Sequence, residues 1–329
     1  MARLPEQAKL TSSAIYDTHS DAAGDWRRPH LGASQIGKEC LRALWYGFRW
    51  TSPPGFDGRM LRLFNRGHRE ETELIKDLRA AGVELHAESA EGEQYRVSYH
   101  GGHFGGSCDG VGLGFPEAPK VWHLFEAKTA NDRSWKDLQK KGVRESKPEH
   151  YDQMQVYMDG LKLTRAIYIS VNKNDDHLYV ERIGYDKTHA KGIIAKAKTI
   201  IEAETPLSKI SEDPSWYKCK WCDFSDVCHG KAHELVDRNC RTCISATPTT
   251  TGEWRCELKE IYLDVEQQKK GCSKHILIPD FVDGVPMKFD EAGRSLAYEN
   301  GLIDQGGEIK QSSLLFSDAD QKPKVDDEH

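Results

Sequence analysis

Seven of the nine cysteines in this 329-residue chain fall between Cys219 and Cys272, and no other feature limits its fold so strongly. The opening residues Met1-Ala2-Arg3-Leu4-Pro5-Glu6 lack the apolar run of a secretory leader, so the expected compartment is the cytoplasm. Thiols stay reduced there, which argues against a disulfide framework. Clustered thiols in a reducing compartment read first as metal ligands. The C-terminal third should therefore be built of short, metal-stapled segments, and the main core should lie before it.

That earlier part has the material for a core. Hydrophobic residues make up 38% of the chain and charged residues 30%, with a mean hydropathy of -0.68, the profile of a soluble globular protein. No stretch approaches the ~20 apolar residues of a membrane span. The net charge of -6 argues against a nucleic-acid binder, but its distribution argues the other way. From Arg27 to Arg79 there are 11 basic against 6 acidic residues, and from Pro286 to the end 5 against 10. A basic segment and an acidic tail in one chain fit a phosphate-binding surface balanced by a solvated extension.

Residues 1–30 read as a polar arm of weak periodicity. Ser34 suits a helix N-cap, followed by Ile36, Cys40, Leu41, Leu44 and Trp45 at helical spacing. After Pro53-Pro54-Gly55, a longer helix carries Met60, Leu61, Phe64, Leu74, Ile75 and Leu78 and closes near Gly82. The period then changes: Tyr95–Tyr99, Gly110–Phe115 and Val121–Lys128 read as strands between glycine-rich turns. A helix over His150–Leu161, a strand over Ala166–Val171, a hairpin into Leu178–Ile183 and a helix over Thr188–Glu204 follow. Such an order packs as a mixed sheet with helices on its faces. Past His229 the texture shifts to short segments punctuated by cysteines, placing a boundary near 230–237; Ser312–His329 is polar enough for disorder.

Asp109 ends one strand region, just after Gly105-Gly106-Ser107-Cys108, and Glu126 and Lys128 lie on the next. Residues two apart on a strand share a face, so Glu126 and Lys128 project together and Asp109 can meet them from the neighbouring strand. Two carboxylates suit Mg²⁺ or Mn²⁺, which take oxygen ligands, and the backbone carbonyl of Ala127 is an added candidate ligand. Such a metal activates water and polarises a phosphate, while a lysine beside it can orient the water or stabilise developing charge. A D…ExK triplet is short, and a strand-end salt bridge is the plainer account of it.

Three neighbours strengthen the chemical reading. His68 and Glu71, in Arg66-Gly67-His68-Arg69-Glu70-Glu71, share a helix face and can complete a metal site. Gln153 and Tyr157 are i and i+4 on the helix after the strand pair, where a glutamine can bond the attacking water or the scissile phosphate. Cys219-Lys220-Trp221-Cys222 with Cys228 gives C-x2-C-x5-C, with Cys40 the remote candidate for a fourth ligand. Spacing alone leaves iron–sulfur and zinc both open.

In this order, from a lone cysteine in a first helix through RGH, GxxD…ExK and Q-x3-Y to C-x2-C-x5-C, the sequence resembles the RecB-type exonuclease family over residues 31–230. That family includes the AddB nuclease domain, the Fe–S nucleases of CRISPR adaptation and phage-type stand-alone members. The resemblance implies an α/β fold: a PD-(D/E)XK restriction-endonuclease-like mixed sheet flanked by helices. It implies metal binding at His68, Asp109 and Glu126, a catalytic lysine at Lys128, the motif glutamine at Gln153 and its aromatic partner at Tyr157. It also implies a structural [4Fe–4S] cluster on Cys40, Cys219, Cys222 and Cys228. Cys108 stands where the family pattern has proline. No G-x4-G-K-[ST] occurs, which excludes ATP-driven unwinding by a P-loop in this chain.

Cys240-Arg241-Thr242-Cys243, then Cys256, Cys272 and His275, has the spacing of a zinc ribbon. Five candidates compete for four positions; the four cysteines lead, with His275 able to replace Cys256 or Cys272. Cys108 reads as a small buried residue beneath the metal site, and His123, at odd offset from Glu126, as packing or surface.

The expected organisation is an arm over 1–30, a nuclease domain with its Fe–S cluster over 31–232, a zinc-ribbon-like lobe over 233–285 and an acidic, partly disordered tail over 286–329. The expected function is metal-dependent DNA hydrolysis, exonucleolytic, in recombination, repair or phage DNA processing. DNA is the expected partner, held by Arg59, Arg62, Arg66 and Arg69, with a recombination or single-strand-binding protein as a further candidate. A structure-specific or partner-dependent endonuclease is one alternative, and a catalytically inactive DNA-binding scaffold another.

Overall fold

The computed structural model describes residues 7–25, 27–53, 55–230, 232–290 and 295–311. The chain forms a mixed α/β protein of two compact units: 1–48, 53–203 and 250–252 in the first, and 49–52, 204–249 and 253–329 in the second. The main division falls at 203/204, earlier than the 230–237 suggested by sequence texture, so Cys219, Cys222 and Cys228 belong to the second unit.

In the first unit the elements run α1 (Gln7–Asp21), β1 (Leu31–Gly32), α2 (Leu41–Phe48), α3 (Gly58–Ala80), β2 (Glu84–His86), β3 (Arg96–Tyr99), β4 (Phe104–Ser107), β5 (Gly110–Leu113), β6 (His123–Ala130), α4 (Asp132–Ser146), α5 (Pro148–Leu161), β7 (Arg165–Asn172), β8 (Leu178–Gly184) and α6 (Lys187–Glu202). A five-stranded sheet has the order β2-β5-β6-β7-β8. Only the central β6–β7 pair is parallel, with Glu126 beside Tyr168 and Lys128 beside Ser170. A smaller sheet, β1-β4-β3, lies within the same unit.

Helix α3 forms where its sequence says it should. The Asp57 side chain caps it by accepting from Met60 N at 2.6 Å, and Gly82 follows its end with φ +92°, a conformation glycine adopts freely. Leu74, Ile75 and Leu78 pack on Phe125, Ala127, Ile167, Ile169 and Val171, one face of the sheet. Alternation along the strands turns Glu126, Lys128 and Tyr168 to the opposite face. On that side lies α5, begun by Pro148 and buried from Tyr151 to Met158. The core thus clamps β6 on both sides and holds its polar side chains in place.

Three expectations are revised in this unit. Residues 33–37 form turns, and α2 starts only at Leu41; Ile36 is buried from a turn, not a helix. The supposed arm contains α1, which packs along α3. Helix α4, absent from the sequence reading, is capped by Asn131, whose side chain accepts from Ser134 N at 2.9 Å.

In the second unit come α7 (Tyr217–Lys220), α8 (Ser225–His229), α9 (Ala232–Leu235), β9 (Ala246–Pro248), β10 (Trp254–Cys256), β11 (Ile261–Leu263), α10 (Val265–Lys269), β12 (Pro286–Phe289), β13 (Ser295–Tyr298), β14 (Leu302–Gln305) and β15 (Glu308–Gln311). Strands β9–β11 and β12–β15 make two antiparallel sheets. Strands β12 to β15 thus fall within what was expected as the acidic tail, and the tail segment Ser312–His329 lies outside the described residues. The centre of the unit is aromatic and cationic. The Arg241 guanidinium sits 3.6 Å from the Trp50 ring centroid and 4.7 Å from that of Trp254. It donates twice to Gln268 Oε1, at 2.9 and 2.8 Å.

Candidate functional site

Short bonds fix the end of β6. Asp109 lies between β4 and β5, and its Oδ2 accepts from Ala127 N at 2.8 Å. That bond ties the carboxylate to the residue between Glu126 and Lys128. Lys128 Nζ donates to Glu126 Oε1 and to Ala127 O at 3.1 Å, and lies 3.8 Å from Asp109 Oδ2. Asp109, Glu126, Lys128 and the Ala127 carbonyl therefore converge.

Glu126 has no solvent-exposed surface, and its second oxygen, Oε2, is buried without a hydrogen-bond partner. A buried carboxylate oxygen left unpaired is costly. Burial pushes the Glu126 carboxyl up, against the pull of Lys128, with Asp109 and Glu71 adding to the rise. For Lys128, burial lowers the pKa, but Glu126 and Asp109 outweigh it and hold the ammonium above its ordinary range. Glu71, on α3, joins the group: burial and Asp109 raise its carboxyl to about 7, with Lys128 opposing. Three carboxyls around one ammonium form a group short of positive charge.

The group opens on a cleft of about 620 Å³. Glu71 and Asp109 line it together with His68, Gln153 and Tyr157. Gln153 and Tyr157 are buried on α5, and Gln153 Nε2 donates to Tyr157 Oη at 3.4 Å. Gly106 on β4 makes room for that phenol: a Cβ there would lie 2.7 Å from Tyr157 Oη. Cys108 is buried beneath, 3.7 Å from Gly110 O, and its thiol is pushed up to about 12, by burial first and then by Glu126 and Asp109. His123 is buried against Phe115 on the far side of β6, with Nδ1 2.8 Å from Val121 O.

The arginines differ from expectation. Arg66 donates to Lys173 O at 3.1 Å and faces Glu70 at 3.6 Å. Arg59, Arg62 and Arg69 are exposed on α3, and none of the four lines the cleft, because the helix turns His68, Glu71 and Thr72 to it. The cations on the cleft wall are Arg28 and Arg96, with His30 beside them. Arg28 NH1 donates to Ser34 Oγ at 3.1 Å. No motif marks Arg28 or Arg96; only membership of the basic segment could have pointed to Arg28.

The cysteines divide between units. Cys40 precedes α2 in the first, while Cys219 on α7, Cys222 between α7 and α8, and Cys228 on α8 belong to the second. There too, Cys240, Cys243, Cys256 and Cys272 line one cavity of about 30 Å³, with His275. Among the described residues, no three His, Cys, Asp or Glu side chains are already drawn together as around a metal ion. No helix among them is long and apolar enough to cross a membrane.

No protein-family model matches the chain, and no curated protein matches it. Among solved structures it is similar to the alkaline exonuclease LHK-Exo from Laribacter hongkongensis, at 19% identity over 53% of this chain and 87% of that one, with a TM-score of 0.40. The same exonuclease in complex with dAMP matches at 18% identity over 53% and 87%, with a TM-score of 0.39. SSO0001 matches at 16% identity over 68% and 96%, also with a TM-score of 0.39. Likenesses of this size assign no family, and the functional reading rests on the chain's own residues.

Proposed function

We propose that this chain is a metal-dependent DNA nuclease of PD-(D/E)XK type, an exonuclease of DNA recombination, repair or phage DNA processing. The observation that carries the reading is the buried Glu126 carboxylate, with one oxygen bonded to Lys128 and the other unpartnered, beside Asp109 and Glu71. Such a donor set suits a hard divalent cation: Asp109, Glu126, Glu71 and the Ala127 carbonyl offer oxygens, and His68 lines the same cleft. When bound, Mg²⁺ or Mn²⁺ would lower the pKa of a water and polarise a phosphate oxygen.

The chain's own residues supply the rest. Lys128 holds a fixed positive charge at the carboxylates, where it can stabilise charge developing on a phosphate. Gln153, seated by Tyr157, presents an amide to the cleft and can orient a water or a phosphate oxygen. Arg28 and Arg96 offer donors to a DNA backbone entering the cleft. On their spacing alone, Cys219, Cys222 and Cys228 remain candidate iron–sulfur ligands.

The test is cleavage of linear DNA, labelled at either end and offered single- or double-stranded, with Mg²⁺, Mn²⁺ or EDTA. Metal-dependent degradation lost in Lys128→Ala supports the nuclease, and the label gives its polarity. Cutting of circular DNA would move the reading to an endonuclease. DNA binding without any cutting, equal in wild type and Lys128→Ala, would replace it with the scaffold.

A further inference from the structure

The second cysteine group has no part in the nuclease reading, and its surroundings speak for themselves. Its four thiols come from three separate pieces of the second unit. Cys240 and Cys243 bracket a tight turn closed by Cys243 N donating to Cys240 O at 3.1 Å. Cys256 ends β10. Cys272 opens another turn, in which His275 N donates to Cys272 O at 2.9 Å. All four line the same cavity of about 30 Å³, with Lys259 and Lys274 among its other walls.

The turn holding the first pair is held from outside. The Asn239 side chain accepts from Arg241 N at 2.9 Å, and Asn239 N donates to Thr242 Oγ1 at 3.2 Å. Cys243 and Leu277 form an isolated β-bridge, bringing the second turn alongside the first.

His275 is differently committed. Its Nε2 lies 2.9 Å from Asn239 O and 3.3 Å from Thr242 Oγ1. Its Nδ1 lies 3.3 Å from Arg238 NH1, which also donates to Asp304 Oδ1 at 3.1 Å. The second oxygen of Asp304 accepts from Leu277 N at 2.7 Å. With the proton on Nε2, both ring nitrogens are used: one donates to a carbonyl and the other accepts from a guanidinium.

From this geometry we infer that Cys240, Cys243, Cys256 and Cys272 bind one Zn²⁺ as four thiolates, and that His275 is a positioning residue and not a ligand. Binding draws the sulfurs inward to about 2.3 Å from the ion and displaces the thiol protons to solvent. Lys259 and Lys274 offset part of the net negative charge of a four-thiolate site. The ion joins the Cys240–Cys243 turn, β10 and the Cys272 turn, whose neighbouring strands β9, β10 and β11 have only three residues each. Strands so short need a staple.

The experiment uses the full chain. Zinc and iron are counted by mass spectrometry in wild type, Cys256→Ser, Cys272→Ser and His275→Gln, and the metal is then exchanged for Co²⁺. Expected are about one zinc fewer per chain in each cysteine variant, and wild-type zinc in His275→Gln. The cobalt-loaded wild type and His275→Gln should share the visible spectrum of four-sulfur tetrahedral coordination. If the cysteine variants do not fold, a mercurial titration of wild type still decides: zinc release should track modification of four thiols, and proteolysis should then map to residues 240–275. A cobalt spectrum of mixed sulfur and nitrogen ligands that changes in His275→Gln would overturn the ligand assignment. Zinc unchanged in both cysteine variants, or iron in its place, would overturn the site.

Discussion

The Asp109 carboxylate accepts a hydrogen bond from Ala127 N at 2.8 Å and lies 3.8 Å from Lys128 Nζ through the same oxygen. One side chain thus ties the loop between β4 and β5 to β6 and neutralises part of its lysine's charge. The other neutralising group, Glu126, is wholly buried. Lys128→Ala should therefore reduce DNA cleavage by at least ~10²-fold, the scale of losing one transition-state charge partner. It should also leave Glu126 uncompensated, favouring its neutral form. Glu126→Gln should be as inactive and should unfold earlier than wild type in EDTA, since it leaves the Lys128 ammonium without its principal partner. Wild-type cleavage rates in either variant would detach the triplet from the chemistry.

A pH dependence follows from the raised carboxyls. Glu71 sits at about 7 and Glu126 at about 8, against an ordinary 4.5. With folded values above unfolded ones, the metal-free chain takes up protons more readily when folded. The stability this contributes is fully present below about 4.5 and is lost as pH rises through about 7 and then about 8. In EDTA the melting temperature should fall across that window. Mg²⁺ or Mn²⁺ should raise it more at pH 8 than at pH 6, because the ion competes with protons for the same oxygens. Glu71→Gln should flatten the lower part of the curve; an unaltered profile in that variant would remove Glu71 from the group.

What could be read beforehand follows from how local each signal is. Helix α3 was legible because Met60, Leu61, Phe64, Leu74, Ile75 and Leu78 repeat at helical spacing between the Pro53-Pro54-Gly55 break and a Gly82 stop; its Asp57 cap shows only in the structure. Asp109, Glu126 and Lys128 were legible because residues two apart on a strand must share a face. Helix α4 was not: Trp135, Leu138 and Val143 are its only buried side chains, and Gly142 takes φ +73° within it. Ile36 continued a helical pattern into residues that instead turn, Gln35 N bonding to Gly32 O and Lys38 N to Gln35 O. Arg28 and Arg96 reach one cleft from segments 68 residues apart, and His275 is engaged by Asn239 and Arg238; only tertiary packing brings such groups together.

Gly106 tests the packing behind the cleft. Its missing side chain leaves room for Tyr157 Oη, 2.7 Å from where a Cβ would stand. Gly106→Ala should push the phenol aside and disturb Gln153, lowering cleavage, at an overpacking cost of ~1–3 kcal/mol. Tyr157→Phe removes the nearest atom. The double variant should then be less destabilised than the two single changes summed, a coupling that urea denaturation of all four proteins would measure. Strict additivity would show that the backbone at Gly106 yields instead.

The second unit offers a prediction independent of any metal. Arg241 is buried between Trp50 and Trp254 and gives two hydrogen bonds to Gln268 Oε1. Burial, with Arg49 adding, holds its pKa well below the ordinary arginine value. Its worth lies in stacking on the two indoles and in satisfying Gln268. Arg241→Ala should cost ~3–5 kcal/mol, through a cavity between two indoles and an orphaned amide oxygen. Arg241→Met should cost less, because a flexible thioether fills the space and sulfur packs well on aromatic rings. Arg241→Lys should resemble the alanine change more than its charge suggests, since an ammonium can neither stack as a plane nor reproduce the double bond to Gln268. Thermal unfolding followed by tryptophan fluorescence reads both the stability and the two rings concerned. Lysine performing as well as arginine would mean that charge alone holds this core.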